Sequence, residues 1–271
     1  LAAIVGAPAC DREPELARTT NLEAVRLLVE ELSPRQLLLI PTTNSGYGTR
    51  SGDLHCTEES PLEPISLYGR TKVQAEAAAL QRERTISLRL ATVFGMSPRL
   101  RLDLLVNHFV HAAVTEGCLV LFEEHFKRNY IHIRDVADCF LHCLRHFDAM
   151  QGRPYNLGLD AANLSKLELA RKVKEHVPDL YIHCAPLGKD PDQRNYIVSN
   201  QRLREAGFEG RRGLDQGITE LLKGYRMLGR DRGKNVSSVR PRWLAPAPPA
   251  GGAQEKQYPL ERKTPEPVKA T

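Results

Sequence analysis

At 271 residues the chain is long enough to bury a sizeable core, as one domain or two. It is 41% hydrophobic and 26% charged, an ordinary composition for a soluble globular protein, and no apolar run approaches the ~20 residues of a membrane span. No signal peptide is visible, and six cysteines without paired spacing point to reduced thiols in a cytoplasmic setting. The net charge of +5 owes much to Arg and Lys after Gly229, so it is a weak argument for nucleic-acid binding.

Leu1-Ala2-Ala3-Ile4-Val5-Gly6 reads as a strand end followed by a loop. Residues 17–32 read as a helix, with an apolar stripe of Leu22, Val25, Leu28, Val29 and Leu32. Leu37-Leu38-Leu39-Ile40 has the pattern of a buried parallel strand. It opens into Pro41-Thr42-Thr43-Asn44-Ser45-Gly46-Tyr47-Gly48. Ligands of open α/β sheets bind beyond the carboxyl ends of strands, which places Thr43 well for a substrate. Standing alone, the stretch reads equally as a strand with an ordinary polar loop.

Leu67-Tyr68-Gly69-Arg70-Thr71-Lys72 leads into a run of strong helix formers, residues 73–80. Tyr68 and Lys72 are four apart, so they share one face of that helix. A free phenol titrates near ~10, and a neighbouring positive charge lowers that value. Such a pair can serve as an acid/base couple. By itself the spacing is a weak signal, and its context decides.

Strands are expected at 86–90, 119–122 and 129–133, with a helix at 103–116 and a late strand and turn at Tyr155-Asn156-Leu157-Gly158. Asp135 reads as the cap of a helix through Phe147. That helix carries Cys139, His142, Cys143 and His146 on one face. Four ligands on one straight helix cannot surround an ion tetrahedrally; two adjacent ones could bind with others from elsewhere, but a metal is the weaker reading. Ser165 and Glu168 form a capping box for a helix to His176. Gly207, Gly210 and Gly213 form a Gly-x-x-Gly-x-x-Gly pattern. It follows a helical stretch (200–206) rather than a strand, so Gly207 reads as a left-handed helix end and not as a phosphate turn. A last helix covers 214–228. The Pro-rich, basic stretch 230–271 reads as disordered.

The strand with its Thr-Thr-Asn-Ser-Gly-Tyr-Gly end, the Pro-rich loop 59–64, the Tyr-x-x-x-Lys helix, Arg89-Leu90-Ala91-Thr92-Val93-Phe94-Gly95 and residues 128–137 come in order. Together they resemble the extended short-chain dehydrogenase/reductase family, in its NAD-dependent epimerase/dehydratase branch. The resemblance runs from Leu1 to about Leu228. It implies an α/β fold: a Rossmann-like, doubly wound parallel sheet lacking its first βαβ units, with a small C-terminal substrate-binding α/β subdomain. Residues 1–100 and 129–160 would form the truncated NAD(P)-binding domain. Residues 101–128 and 161–229 would form the substrate subdomain.

The same resemblance implies a catalytic set of Thr43, Tyr68 and Lys72. Tyr68 would move a proton, Thr43 would hold the reacting oxygen, and Lys72 would hold the nicotinamide ribose and lower the Tyr68 pKa. The cofactor, NAD or NADP with NAD favoured, would meet Ala2, Ala3, Asn21, Pro41, Thr42, Tyr68, Lys72 and Val93. A sugar, most naturally a nucleotide sugar, would meet Thr43, Asn44, Ser45, Thr92, Asn107, Arg128 and Arg194, the two arginines as anion clamps. A homodimer formed by the helices at 17–32 and 68–80 is implied, with no nucleic-acid or membrane partner. The family's 4,6-dehydratases carry Asp-Glu after the catalytic threonine. Asn44 and Ser45 stand there, so an epimerase or a reductase is favoured. The competing reading is an inactive fragment or a dimerising scaffold without a dinucleotide turn. Anion or nucleic-acid binding by the basic tail is a third and weaker one.

Overall fold

The structure, a computed structural model, describes residues 3–49, 55–186 and 194–228. Ala2 and residues 230–271, read from sequence as a cofactor contact and a disordered tail, lie outside the described residues.

Two short helices, α1 (Ala7–Arg12) and α2 (Pro14–Arg18), each carry a proline in the first turn, where the missing N–H costs nothing. A π turn at Thr19–Glu23 joins α2 to α3 (Ala24–Glu31). The single helix expected over 17–32 is therefore interrupted. An extra residue in a turn rotates the rest of the helix by about 100°. Val25, Val29 and Leu32 still pack inward, but Leu28 of the expected stripe is 44% exposed beside Leu27. Ala3–Val5 belongs to no strand, contrary to expectation. The buried amide of Asn21 takes the place of a ladder partner, accepting from Ile4 N at 2.8 Å and donating to Ile4 O at 2.9 Å.

β1 (Leu38–Thr43) runs past its apolar start through Pro41, Thr42 and Thr43. Then come a 3-10 turn at Asn44–Tyr47, β2 (His55–Cys56), α4 (Leu67–Ala79), β3 (Thr85–Leu90) and β4 (Thr92–Phe94). Next are α5 (Leu105–Thr115), β5 (Cys118–Leu121), β6 (Lys127–His132), α6 (Ile133–Arg145), α7 (Phe147–Met150) and β7 (Arg153–Leu157). The main sheet has the order β1-β3-β7, all parallel, with Leu38 opposite Thr85 and Leu90 opposite Leu157. Pro41 sits in the strand at the end of this order, where a missing donor is tolerated. Parallel strands need helical crossovers, which α4 and α6 supply.

The chain closes with β8 (Asn163–Ser165), α8 (Lys166–His176), β9 (Tyr181–Cys184), β10 (Ile197–Val198), α9 (Gln201–Glu205) and α10 (Leu214–Leu228). One core lies around β3 and β7, with Ile86, Leu88, Cys139, Cys143, Phe147 and Leu157. The other lies under α5, α8 and α10, with Phe94, Phe109, Val110, Leu169, Val173 and Leu221.

Ser165 and Glu168 form the expected capping box, with Glu168 N donating to Ser165 Oγ at 3.1 Å and Ser165 N to Glu168 Oε2 at 2.7 Å. Gly207, at φ 88°, ends α9 in the left-handed region. Its N–H donates to Arg204 O, and Phe208 N donates to Leu203 O, the pair of bonds of a Schellman end.

α6 departs from expectation at its start. His132 is the cap, its Nδ1 accepting from Arg134 N at 3.2 Å, while Asp135 sits within the first turn and holds Arg212. An imidazole nitrogen at a strand end can cap as a carboxylate does, and that frees Asp135 for a longer-range contact. On the outer part of α6 the two thiols lie in the core. His142 Nε2 meets Ala206 O at 2.8 Å, and its ring stands 4.4 Å from that of His146.

Candidate active site

The site forms where β1 ends and α4 begins. Ser66 caps α4 by accepting from Gly69 N at 3.1 Å, and the alanine-rich body of the helix carries the pattern onward. A Cβ on Gly69 would lie 2.9 Å from Pro64 Cβ and 3.3 Å from Ser45 O, so glycine lets the helix rest on the turn after β1. Thr43, Ser45, Tyr68 and Lys72 thereby line one cavity of about 380 Å³.

Thr43 Oγ1 donates to Ser45 Oγ at 2.8 Å and accepts from Ser45 N at 3.1 Å. Arg194 Nη1 also donates to Ser45 Oγ. Tyr68 shares this cavity with Thr43. Burial pushes the Tyr68 pKa up, while the charge of Arg194, the Thr43 hydroxyl and the charge of Arg101 pull it down. The net direction is upward. The Lys72 ammonium is pushed down by burial and held up by Glu76, one turn further along α4.

Glu76 is the hub of a buried polar network. Its carboxylate accepts from Thr42 Oγ1 at 2.8 Å, from Ser87 Oγ at 2.6 Å and from Arg89 Nη2 at 2.7 Å. Arg89 donates onward to Tyr47 Oη at 3.0 Å, which donates to Asn156 at 2.7 Å. This network ties α4 to β1, β3 and β7 behind the cavity.

Of the residues read from sequence as cofactor or substrate contacts, Ala3, Pro41, Thr42, Thr92, Val93, Asn107 and Arg194 also line the cavity. Asn107 spends its amide on the loop after β4, accepting from Gly95 N at 3.1 Å and donating to Arg101 O at 2.9 Å. Three expected contacts are not in the wall. Asn21 stands behind it and fixes the 3–7 segment that is. Asn44 is fully buried, with both amide atoms lacking a hydrogen-bond partner among the described residues. Arg128 lies within β6, not before it, and is 1% exposed; its guanidinium is 6.0 Å from the Tyr196 ring, and Tyr196, not Arg128, faces the cavity.

Arg99 and Arg101 escape the sequence reading. Arg101 Nε donates to Asp103 Oδ1 at 2.7 Å. Their position just past the carboxyl end of β4 is the signal that could have found them. With Lys72 and Arg194 they give the cavity four cationic side chains, and its lining contains no carboxylate among the described residues. Such a cavity favours an anionic ligand.

Parallel strands, helical crossovers and a ligand cavity at the strand carboxyl ends define a doubly wound α/β protein of the dinucleotide-binding kind. Residues 1–158 match the NAD dependent epimerase/dehydratase family, and the chain belongs to it. Among solved structures it is similar to a dTDP-glucose 4,6-dehydratase from Bacillus anthracis in complex with NAD (22% identity, TM-score 0.68, covering 79% of this chain and 70% of that one). It is also similar to a UDP-glucose 4-epimerase from Thermotoga maritima with UDP-glucose (22%, TM-score 0.71, 84% and 76%). A third is RMD from Pseudomonas aeruginosa complexed with NADPH (20%, TM-score 0.71, 82% and 78%). At these identities the likeness concerns the fold.

Proposed function

We propose that the chain performs nicotinamide-dependent oxidoreduction at a carbinol carbon of a nucleotide sugar, through Thr43, Tyr68 and Lys72. The observation that carries this reading is that β1 and α4 bring the three side chains to one cavity with a cationic rim. Family membership and neighbours named for nucleotide sugars support it. Asn44 and Ser45 favour an epimerase or a reductase over a dehydratase, since neither is an acid or a base.

The residues present suit the nicotinamide riboside end of NAD or NADP. Lys72 is 7% exposed and lines the cavity with its ammonium in no hydrogen bond to a described residue, an arrangement that suits ribose hydroxyls. Ala3, Pro41, Thr42 and Val93 offer a mostly apolar wall for a flat ring. When bound, the nicotinamide supplies the hydride acceptor. Tyr68, as phenolate, accepts the proton of the substrate hydroxyl, and Thr43 positions that oxygen. Arg99, Arg101 and Arg194 take the anion-binding part expected of Arg128. Exposed Leu27, Leu28 and Ile65 support a homodimer through α3 and the start of α4. Six free thiols support a reducing, cytoplasmic compartment. Among the described residues no helix is long and apolar enough to cross a membrane.

Fluorescence titration of the 271-residue chain with NADH and NADPH tests the reading. Saturable binding is expected, weakened about tenfold in Lys72→Ala by loss of charged hydrogen bonds. Tyr68→Phe should bind cofactor normally yet fail to turn over any nucleotide sugar that the parent chain converts. Absence of binding up to millimolar cofactor would overturn the proposal for this chain.

A further inference from the structure

Arg101 lines the cavity from the loop between β4 and α5, and Asp103 stands two residues further on. Asp103 takes one edge of the guanidinium. Arg101 Nε donates to Asp103 Oδ1 at 2.7 Å, and Arg101 Nη2 donates to Asp103 Oδ2. The Asp103 side chain is about half exposed and lies outside the lining. We propose that Asp103 is a positioning residue, holding Arg101 by its side edge so that its end edge receives a diphosphate group in the cavity. The proposal rests on the reading of the cavity as a site for nucleotide ligands, and it says how one of the arginines there would grip them.

Counting donors shows that the pair and a ligand can coexist. A guanidinium has five N–H donors in one plane. Asp103 takes two of them, one on Nε and one on Nη2. Of the other three, one on Nη1 and one on Nη2 form the parallel pair of the end edge. That pair matches two oxygens of a phosphate. An anion can therefore bind Arg101 without displacing Asp103.

Both ends of the Arg101 side chain are fixed. At the backbone end, the amide of Asn107 in α5 donates to Arg101 O at 2.9 Å and accepts from Gly95 N at 3.1 Å. At the tip, Asp103 sets the plane of the fork. Nη2, which belongs to both edges, is 3.9 Å from where a Cβ on Gly6 would lie, and Gly6 also lines the cavity. The guanidinium thus reaches from the loop after β4 to the segment before α1. An arginine already held in this way has less freedom to lose when a ligand arrives. The charge of Asp103 works in the other direction, because a carboxylate repels an anion. Electrostatics alone predicts that removing Asp103 tightens anion binding; positioning predicts that it weakens it.

Calorimetric titration of the full chain with inorganic pyrophosphate tests this. Asp103→Ala should weaken binding about threefold or more, since the freed arginine must be ordered again. Asp103→Glu, which keeps a carboxylate within reach, should recover most of the parent affinity. In the Arg101→Gln background Asp103→Ala should no longer weaken binding, because the two residues act as one unit. Arg101→Lys keeps the charge but has no second edge, and should also bind about threefold or more weakly. Equal or tighter binding in Asp103→Ala, or the same loss in the Arg101→Gln background, overturns the proposal, as does a parent chain that does not bind pyrophosphate. If Asp103→Ala fails to fold, Arg101→Lys decides: a loss supports the two-edged fork, and an unchanged affinity overturns it. NADH titrations of the same variants assign the diphosphate. A parallel fall gives it to the cofactor, and an unchanged NADH affinity gives it to the substrate. Failure of NADH to bind at all would sink the proposed function and leave the pyrophosphate result standing.

Discussion

The two walls of the cavity are built in different ways. One wall is helix α4, which carries Tyr68 and Lys72 on a regular backbone and is bolted to the sheet by the buried carboxylate of Glu76. The other is loop: Arg99 and Arg101 come after β4, Arg194 precedes β10, and they are held by single side chains such as Asn107, Asp103 and Ser45. The first wall places its groups by backbone geometry. The second places long side chains by where their tips land. The difference teaches that the proposed chemistry sits on the rigid wall, while the proposed recognition of an anion is left to the adaptable one.

The sharpest way to break this contrast is Glu76→Ala. It leaves the Arg89 guanidinium buried without its main partner, and should cost about 3–5 kcal/mol in urea unfolding. A loss below about 1 kcal/mol would mean that the network does not bolt the helical wall. Asn107→Ala, in α5 and holding the loop wall, strips a buried acceptor from Gly95 N and a donor from Arg101 O, and should cost about 2 kcal/mol. It should also weaken NADPH binding more than Glu76→Gln does, which fluorescence titration would show. Gly69→Ala pushes a methyl against Pro64 and the Ser45 carbonyl, and should cost about 1–2 kcal/mol by thermal unfolding. If it stabilises instead, α4 does not rest tightly on the turn after β1.

The smallest effect concerns Asp103. The hydrogen bond from Arg101 holds its carboxyl below the usual range. A depressed carboxylate contributes stability above its unfolded pKa and loses it as pH falls through the folded value. The exposed pair is worth under about 1 kcal/mol, so Asp103→Asn should differ slightly from the parent at neutral pH. That difference should vanish in acid below the usual aspartate range.

Much of the rigid wall is legible in the sequence. The apolar run before Pro41, the hydroxyl-rich strand end and the i, i+4 pair of Tyr68 and Lys72 each depend on neighbours a few residues away. The loop wall is partly legible. Sequence context marks Arg194 as an anion clamp but carries no sign of its contact with Ser45. Arg128, a substrate ligand by the same kind of context, is instead shut behind Tyr196.

Sequence alone determined the elements and their ends: the strand into Thr43, the Ser165–Glu168 capping box, the Gly207 helix end and the family itself. These rest on periodicity and backbone hydrogen bonding, which are short-range. Tertiary structure alone decided that a π turn rotates Leu28 outward, that Asn21 secures the segment at Ile4, and that His132 caps α6 in place of Asp135. It also decided which arginines line the cavity with Tyr68. A guanidinium at the end of a long side chain has many reachable positions. Only the packing of distant segments selects one, and local sequence carries no record of that choice.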